Sequence, residues 1–341
     1  MKAIQFETPG KLREIDIGDA PSPGPGDALV KVHRVGICGT DYAGYLGKMP
    51  FFSYPRIFGH ELGVEVVAVG VGVSGVGPGD HCSVEPYLNC QTCSACRRGH
   101  TNCCESNQTL GVHCDGGMRP QFIVPARKLH RSRKLSFEQL ALVETLAIGC
   151  HAVNRARVQE GESVVIIGAG PIGLSALEFA KVAGARSIVM DVNPGRLEFA
   201  RSVMGAEHTV EAKGDGKEEA GIRAAAGGEW PPVVIDATGS NCSMSQAMNY
   251  TAFAGRLVYV GITMQEIAVP HPLMHRRELS LLASRNAVAP EFARIIELIE
   301  SGRIDTNPWI THRAGFDELM GEFPGWMKPE AGVIKAMVAV E

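Results

Sequence analysis

The sequence predicts an α/β chain in which a β-rich region precedes a doubly wound parallel sheet. Three observations predict it: a strand, glycine turn, helix and second strand in unbroken succession over 162–191, short alternating apolar runs before about residue 143, and further short apolar runs ending in turns after 230. With 341 residues the chain exceeds the size at which one core usually stops growing, so two domains are expected. A hydrophobic content of 45%, a charged content of 21% and a net charge of -4 describe an ordinary soluble protein and argue against a nucleic-acid binder. The N-terminal MKAIQFETPGKLREID has no signal-peptide core, and the longest uncharged apolar stretch, Ser163 to Leu177, is too short to span a bilayer. A cytoplasmic protein without membrane partners is therefore expected.

The most organised stretch is ESVVIIGAGPIGLSALEFAKVAGARSIVMD, Glu162 to Asp191. Val164 to Ile167 form a β-branched run suited to a parallel strand buried on both faces. In the turn that follows, Gly168 permits the tight reversal, Gly170 lets a pyrophosphate approach the backbone, and Gly173 lets the helix pack against its strand. Pro171 and Ile172 open that helix, where a missing N–H costs nothing. Asp191, 18 residues past Gly173, ends the next strand where a ribose diol would be bound. A carboxylate there accepts from the 2′-hydroxyl of NAD and repels the 2′-phosphate of NADP, so NAD is the expected cofactor. Arg196, just past Asp191, reads either as flanking the adenine ribose or as a solvated helix residue. Later strands are expected at Val233 to Asp236, Arg256 to Val260 and Leu279 to Leu282, and the turns after them bring Thr238, Gly261 and Asn286 to the ligand-binding edge of the sheet.

The earlier region carries runs such as Ala28 to Val35 and Gly63 to Val69 between glycine and proline clusters, and reads as a compact β domain. Inside it Cys90, Cys93, Cys96 and Cys104 give C-x2-C-x2-C-x7-C, four thiolates from one loop for a tetrahedral ion of zinc type. Four protein ligands leave no position for substrate, so the role expected of this site is structural. Cys103 competes with Cys104 by position, but Cys104 fits the spacing better. The basic run Arg127 to Lys134 reads as solvated surface, because no aromatic residues interleave it. Phe51, Phe52 and Tyr54 read either as a wall of a substrate cleft or as core.

A second donor set is scattered: Cys38 in VGICGTD, His60 and Glu61 in FGHELG, and Glu144 in LALVETLAIG. A soft thiolate, an imidazole and hard carboxylates together can hold zinc with one position open. Glu144 is the most telling member, since a charge between Leu140-Ala141-Leu142-Val143 and Leu146-Ala147-Ile148 is expensive to bury without a partner.

In VGICGTD, FGHE, VGPGDHC, the four-cysteine loop, GAGPIG and VVIDATG, in that order, the whole chain resembles the zinc-dependent medium-chain dehydrogenases, and most nearly their polyol and sugar-acid branch. The resemblance implies a GroES-like catalytic domain over 1–145, a Rossmann NAD-binding domain over 146–282, and a C-terminal segment over 283–341 returning to the first domain. It implies Cys38, His60 and a carboxylate at Glu61 or Glu144 as catalytic zinc ligands, so that each chain would carry one catalytic and one structural zinc. It also implies a homodimer or homotetramer. Alcohol dehydrogenases proper have cysteine where Glu144 stands, which favours the polyol-type branch. Relatives often have proline where this chain has Thr145, and a relay histidine where it has Ala43; Thr40 is then the expected start of the proton path.

The activity expected on these grounds is zinc- and NAD-dependent oxidation of a secondary alcohol of a polyol or sugar acid, of the L-galactonate, L-gulonate or sorbitol type. Arg119 is a candidate partner for a substrate carboxylate. The rivals are a simple-alcohol or threonine dehydrogenase, and a non-catalytic NAD-binding protein on the same fold.

Overall fold

The computed structural model describes residues 1–340 and divides into two compact units, Met1–Thr145 with Val288–Glu341, and Leu146–Ala287. No helix of the described residues is long and apolar enough to cross a membrane.

The first unit is built on β-sheets. In the larger one the strands run in the order Leu129–Ser132, His81–Val84, Glu61–Val69, Asp27–Ile37, Lys335–Ala339 and Ile310–Gly315, with Gln121–Pro125 also paired to Asp27–Ile37. The strand Asp27–Ile37 alternates apolar and polar residues at its start and pairs antiparallel with Glu61–Val69, which places Gly36 opposite Glu61. Its other neighbour comes from the far end of the chain: Ala336 pairs with Ile37 and Val338 with Val35. A smaller sheet orders Lys11–Asp16, Lys2–Thr8 and Arg56–Ile57. Phe6 stacks on Phe58 with ring centroids 4.1 Å apart, Phe323 packs on both rings and Phe52 on Phe6. Phe52 therefore packs, partly buried, against the core, whereas Phe51 is exposed.

The second unit is a six-stranded parallel sheet ordered His208–Glu211, Arg186–Asp191, Ser163–Ile167, Val233–Asp236, Arg256–Tyr259 and Ser280–Ala283. In chain order this is 3-2-1-4-5-6, the Rossmann arrangement, with its switch point beside the first strand. Every residue of Ser163–Ile167 is buried, as a strand covered on both faces demands. The helix Pro171–Val182 follows at once, with proline in its first turn. A Cβ on Gly173 would lie 1.7 Å from the Gly168 carbonyl oxygen, so only glycine permits this approach of helix to turn.

Candidate active site

Two groups of metal-binding side chains form in the first unit. Cys90, Cys93, Cys96 and Cys104 bring their sulfurs within 4.8 Å of one another. The Cys90 N–H donates to Cys104 Sγ at 3.3 Å and the Cys93 N–H to Cys90 Sγ at 3.3 Å. The Thr92 hydroxyl and N–H, with the Cys93 N–H, lower the Cys90 thiol pKa and so favour the thiolate form that binds metal. This donor set fits a tetrahedral zinc ion. Cys103 stays outside it and is exposed, and all ten cysteines are unbonded to one another.

The second group is assembled from distant segments. Cys38 ends the strand Asp27–Ile37 and caps the short helix Gly39–Tyr45, and its N–H donates to Asp41 Oδ2 at 2.9 Å. His60 immediately precedes the neighbouring strand, and Glu61 opens it. Cys38, His60 and Glu61 each offer a ligand atom within 4.8 Å of the other two. A Cβ on Gly36 would lie 2.1 Å from Glu61 Oε2, so that glycine makes room for the carboxylate. Glu144 lies outside this three-residue group; it is buried on the helix Phe137–Ala156 and accepts a hydrogen bond from the Tyr87 hydroxyl.

Burial disfavours a charged His60, yet the negative charges of Asp41 and Cys38 outweigh it and raise the imidazole pKa well above its ordinary value. Burial raises the pKa of Glu144, as does the Glu61 charge, while His60 opposes them. His60 Nδ1 is buried without a hydrogen-bond partner, 3.8 Å from Asp41 Oδ1, which is likewise unpartnered. A soft sulfur, an imidazole and a carboxylate gathered around groups with unmet polar demand fit a zinc ion.

Sequence reasoning passed over three members of this neighbourhood. Lys335 is 1% exposed and its Nζ donates to Glu61 Oε1 at 2.5 Å, Glu61 Oε2 at 2.7 Å and the Ile37 carbonyl at 3.2 Å. It could have been found as Glu144 was, by asking why a charge interrupts the apolar run Val333 to Val340. Asp41 sits in the motif already singled out around Cys38. Tyr87 gives no such signal, because a tyrosine beside the four-cysteine loop reads as ordinary core. Thr40 is half-buried, two residues after Cys38 in the first turn of the helix Gly39–Tyr45. Arg119 donates to the Asp115 carbonyl at 3.2 Å, and its guanidinium carbon lies 5.1 Å from the Phe122 ring centroid. The run Arg127 to Lys134 is not wholly solvated, for Lys128 is 3% exposed and paired with Glu85.

In the second unit the predicted cofactor residues share the C-terminal edge of the sheet. Gly168 adopts φ +99°, and a Cβ on it would meet Thr238 Cγ2 at 3.1 Å. Asp191 accepts from the Ala169 N–H at 2.6 Å and the Asn193 N–H at 2.8 Å, which ties the strand end to the glycine turn. A guanidinium nitrogen of Arg196 lies 3.4 Å from where a Cβ of Gly170 would be. Thr238 donates through N–H and hydroxyl to Asp236 Oδ1 at 2.9 and 2.7 Å. Gly261 packs against Gly239, and the Asn286 amide nitrogen is buried without a partner.

A Rossmann sheet with a glycine turn, joined in one chain to a β unit bearing a closed four-thiolate site and a second Cys-His-Glu group, defines a zinc-type dehydrogenase. The alcohol dehydrogenase GroES-like domain family matches residues 24–134 and the zinc-binding dehydrogenase family residues 171–301. The chain belongs to the zinc-type medium-chain dehydrogenases, in the polyol branch. It is 39% identical to the L-galactonate-5-dehydrogenase of Escherichia coli K12 over 309 residues, 91% of this chain and 89% of that one. It is 33% identical to the L-arabinitol 4-dehydrogenase of Hypocrea jecorina over 323 residues, 92% of this chain and 85% of that one. The RspB alcohol dehydrogenase of Escherichia coli CFT073, solved with NADH, superposes with a TM-score of 0.92 at 29% identity, covering 99% of both chains.

Proposed function

We propose that this dehydrogenase oxidises a secondary alcohol of a sugar acid or polyol to the ketone, with NAD as acceptor and two zinc ions per chain. The observation that carries this reading is the gathering of Cys38, His60 and Glu61, with Glu144 on a separate helix and bonded to Tyr87. Cys38, His60 and Glu61 would hold the catalytic ion, and Cys90, Cys93, Cys96 and Cys104 the structural one. When bound, zinc supplies Lewis acidity toward the substrate hydroxyl and the nicotinamide accepts the hydride.

The chain's own groups do the rest. Lys335 holds the Glu61 carboxylate by both oxygens, so that side chain is fixed before any ligand arrives, and the Asp41 carboxylate, 3.8 Å from His60 Nδ1, adds a favourable charge beside the imidazole. Thr40 would take the hydroxyl proton toward solvent. Gly168, Gly170, Pro171, Ile172 and Gly173 would receive the pyrophosphate at a helix N-terminus, with Arg196, Thr238, Gly261 and Asn286 beside it. Asp191 would accept from the adenine ribose, which favours NAD over NADP. The names of the sugar-acid and polyol dehydrogenases among the relatives support the substrate class, and a cytoplasmic homo-oligomer is in keeping with it.

The test is to follow reduction of NAD and of NADP by the zinc-loaded protein over a panel of aldonates, polyols and simple alcohols. Aldonates or polyols with NAD should be fastest, and Cys38→Ser should abolish turnover while NAD binding persists. Faster turnover with NADP would remove the Asp191 assignment, and an active Cys38→Ser the metal assignment.

A further inference from the structure

The segment Glu85 to Cys90, EPYLNC, runs into the four-cysteine group at its C-terminal end and carries the hydrogen-bond partner of Glu144 in its middle. At one end the Glu85 N–H donates to the Lys128 carbonyl at 2.8 Å, and the Glu85 carboxylate accepts from Lys128 Nζ and pairs with His130 Nε2 at 3.4 Å. At the other end Arg127 donates to Asn89 Oδ1 at 2.6 Å and to the Asn89 carbonyl at 2.8 Å. Asn89 Nδ2 in turn donates to Cys96 Sγ at 3.5 Å, and Cys90 itself belongs to the four-cysteine group. Between these anchors Tyr87 and Leu88 pair with Thr109 and Gln108 in a two-stranded ladder. Tyr87 is 2% exposed, and its hydroxyl donates to Glu144.

A phenylalanine would bury the same ring. The hydroxyl adds one directed bond to a carboxylate that burial would otherwise leave short of donors, and so selects one orientation of Glu144. The anchors on either side of Tyr87 decide where that bond can form. Side chains behind a metal centre that orient its neighbours in this way weigh nearly as much as the ligands themselves.

We infer that Tyr87 is a positioning residue for the reaction: its hydroxyl fixes the orientation of the buried Glu144 carboxylate, and the four-cysteine lobe sets the hydroxyl's place through Asn89 and Arg127. The inference rests on the proposed reading of the Cys38, His60 and Glu61 group as the catalytic metal centre. It gives the closed lobe a second task besides stability, because disorder in the lobe reaches Glu144 without touching a catalytic ligand.

The test uses the full-length protein with zinc in the lobe and cobalt(II) exchanged into the Cys38 group, where its visible bands report ligand geometry. Tyr87→Phe should keep both metals and shift the cobalt bands. It should also lower kcat by roughly ten- to a hundred-fold, the usual cost of losing such an outer contact, with KM little changed. Asn89→Ala should act in the same direction, and the double variant should be no worse than Tyr87→Phe alone. Unchanged kcat and cobalt bands in Tyr87→Phe would overturn the role of Tyr87, and additive losses in the double variant would overturn the link to the lobe. Cobalt that binds the wild-type protein without Cys38, shown by identical bands in Cys38→Ser, would instead sink the metal-centre reading and this inference with it.

Discussion

The two donor groups of the first unit are made in opposite ways. Four sulfurs between Cys90 and Cys104 come from a single loop, and backbone N–H groups of that loop already bond to two of them. Cys38, His60 and Glu61 come from two neighbouring strands, and the lysine bonded to Glu61 lies 274 residues away in the sequence. A local site is fixed by short-range spacing, whereas a composite one is only as good as the packing that brings its parts together. That difference suits a closed structural ion in the first case and an open chemical site in the second.

Breaking the local site should have the largest effect. Cys96→Ser should release the lobe's ion and lower stability by roughly 5 kcal/mol, less than the binding free energy that zinc-finger peptides draw from theirs. Metal analysis with urea unfolding checks this, and a variant that unfolds like wild type would deny the lobe its structural role. Next comes Lys335→Met, which strands the buried Glu61 carboxylate and should cost about 3–5 kcal/mol in the metal-free protein. Lys335→Arg should recover part of that loss, and equal unfolding midpoints for all three proteins would show that the pair is not needed. Gly36→Ala drives a methyl group into the space of Glu61 and should cost about 1–3 kcal/mol as overpacking. It should also weaken metal retention at the Cys38 group while leaving the lobe's ion in place, as chelator competition would reveal.

The smallest effect is expected from an exposed tie. Arg313, on the C-terminal strand Ile310–Gly315, donates to both carboxylate oxygens of Glu138 in the first turn of the helix that carries Glu144. Those bonds hold the Glu138 carboxyl below its usual range, with burial opposing. A depressed carboxylate stabilises the fold above its unfolded pKa, and this contribution is lost as pH falls through the folded value. Because Arg313 is largely exposed, the pair should be worth under about 1 kcal/mol. Melting curves of Arg313→Gln and wild type should therefore differ slightly at pH 7 and converge in acid; a gap that widens in acid would reverse the sign.

Legibility in the sequence followed the same division. Five of the six Rossmann strands, the glycine turn and the four-cysteine loop were readable, because each depends on neighbours in the chain, whereas the edge strand His208–Glu211 and the strand order were not. Cys38, His60, Glu61 and Glu144 were readable as a set, but the sequence left the two carboxylates equivalent. The structure separates them: Glu61 joins Cys38 and His60 under Lys335, while Glu144 stands beyond them and bonds to Tyr87. Lys335 and Asp41 were within reach of the argument used for Glu144, that a charge in or beside an apolar run needs a partner. Tyr87 was not, since a buried aromatic gives no hint of where its hydroxyl points.

The sequence by itself therefore determined the α/β class, the nucleotide turn and the closed four-thiolate loop, through periodicity and spacing that act over a few residues. Only the tertiary structure decided which carboxylate joins Cys38 and His60, and that a lysine and an aspartate stand behind them. The physical reason is that burying these charges is tolerable only where opposite charges and hydrogen bonds from remote segments converge, and that convergence exists only once the sheet Asp27–Ile37, Glu61–Val69 and Lys335–Ala339 has formed.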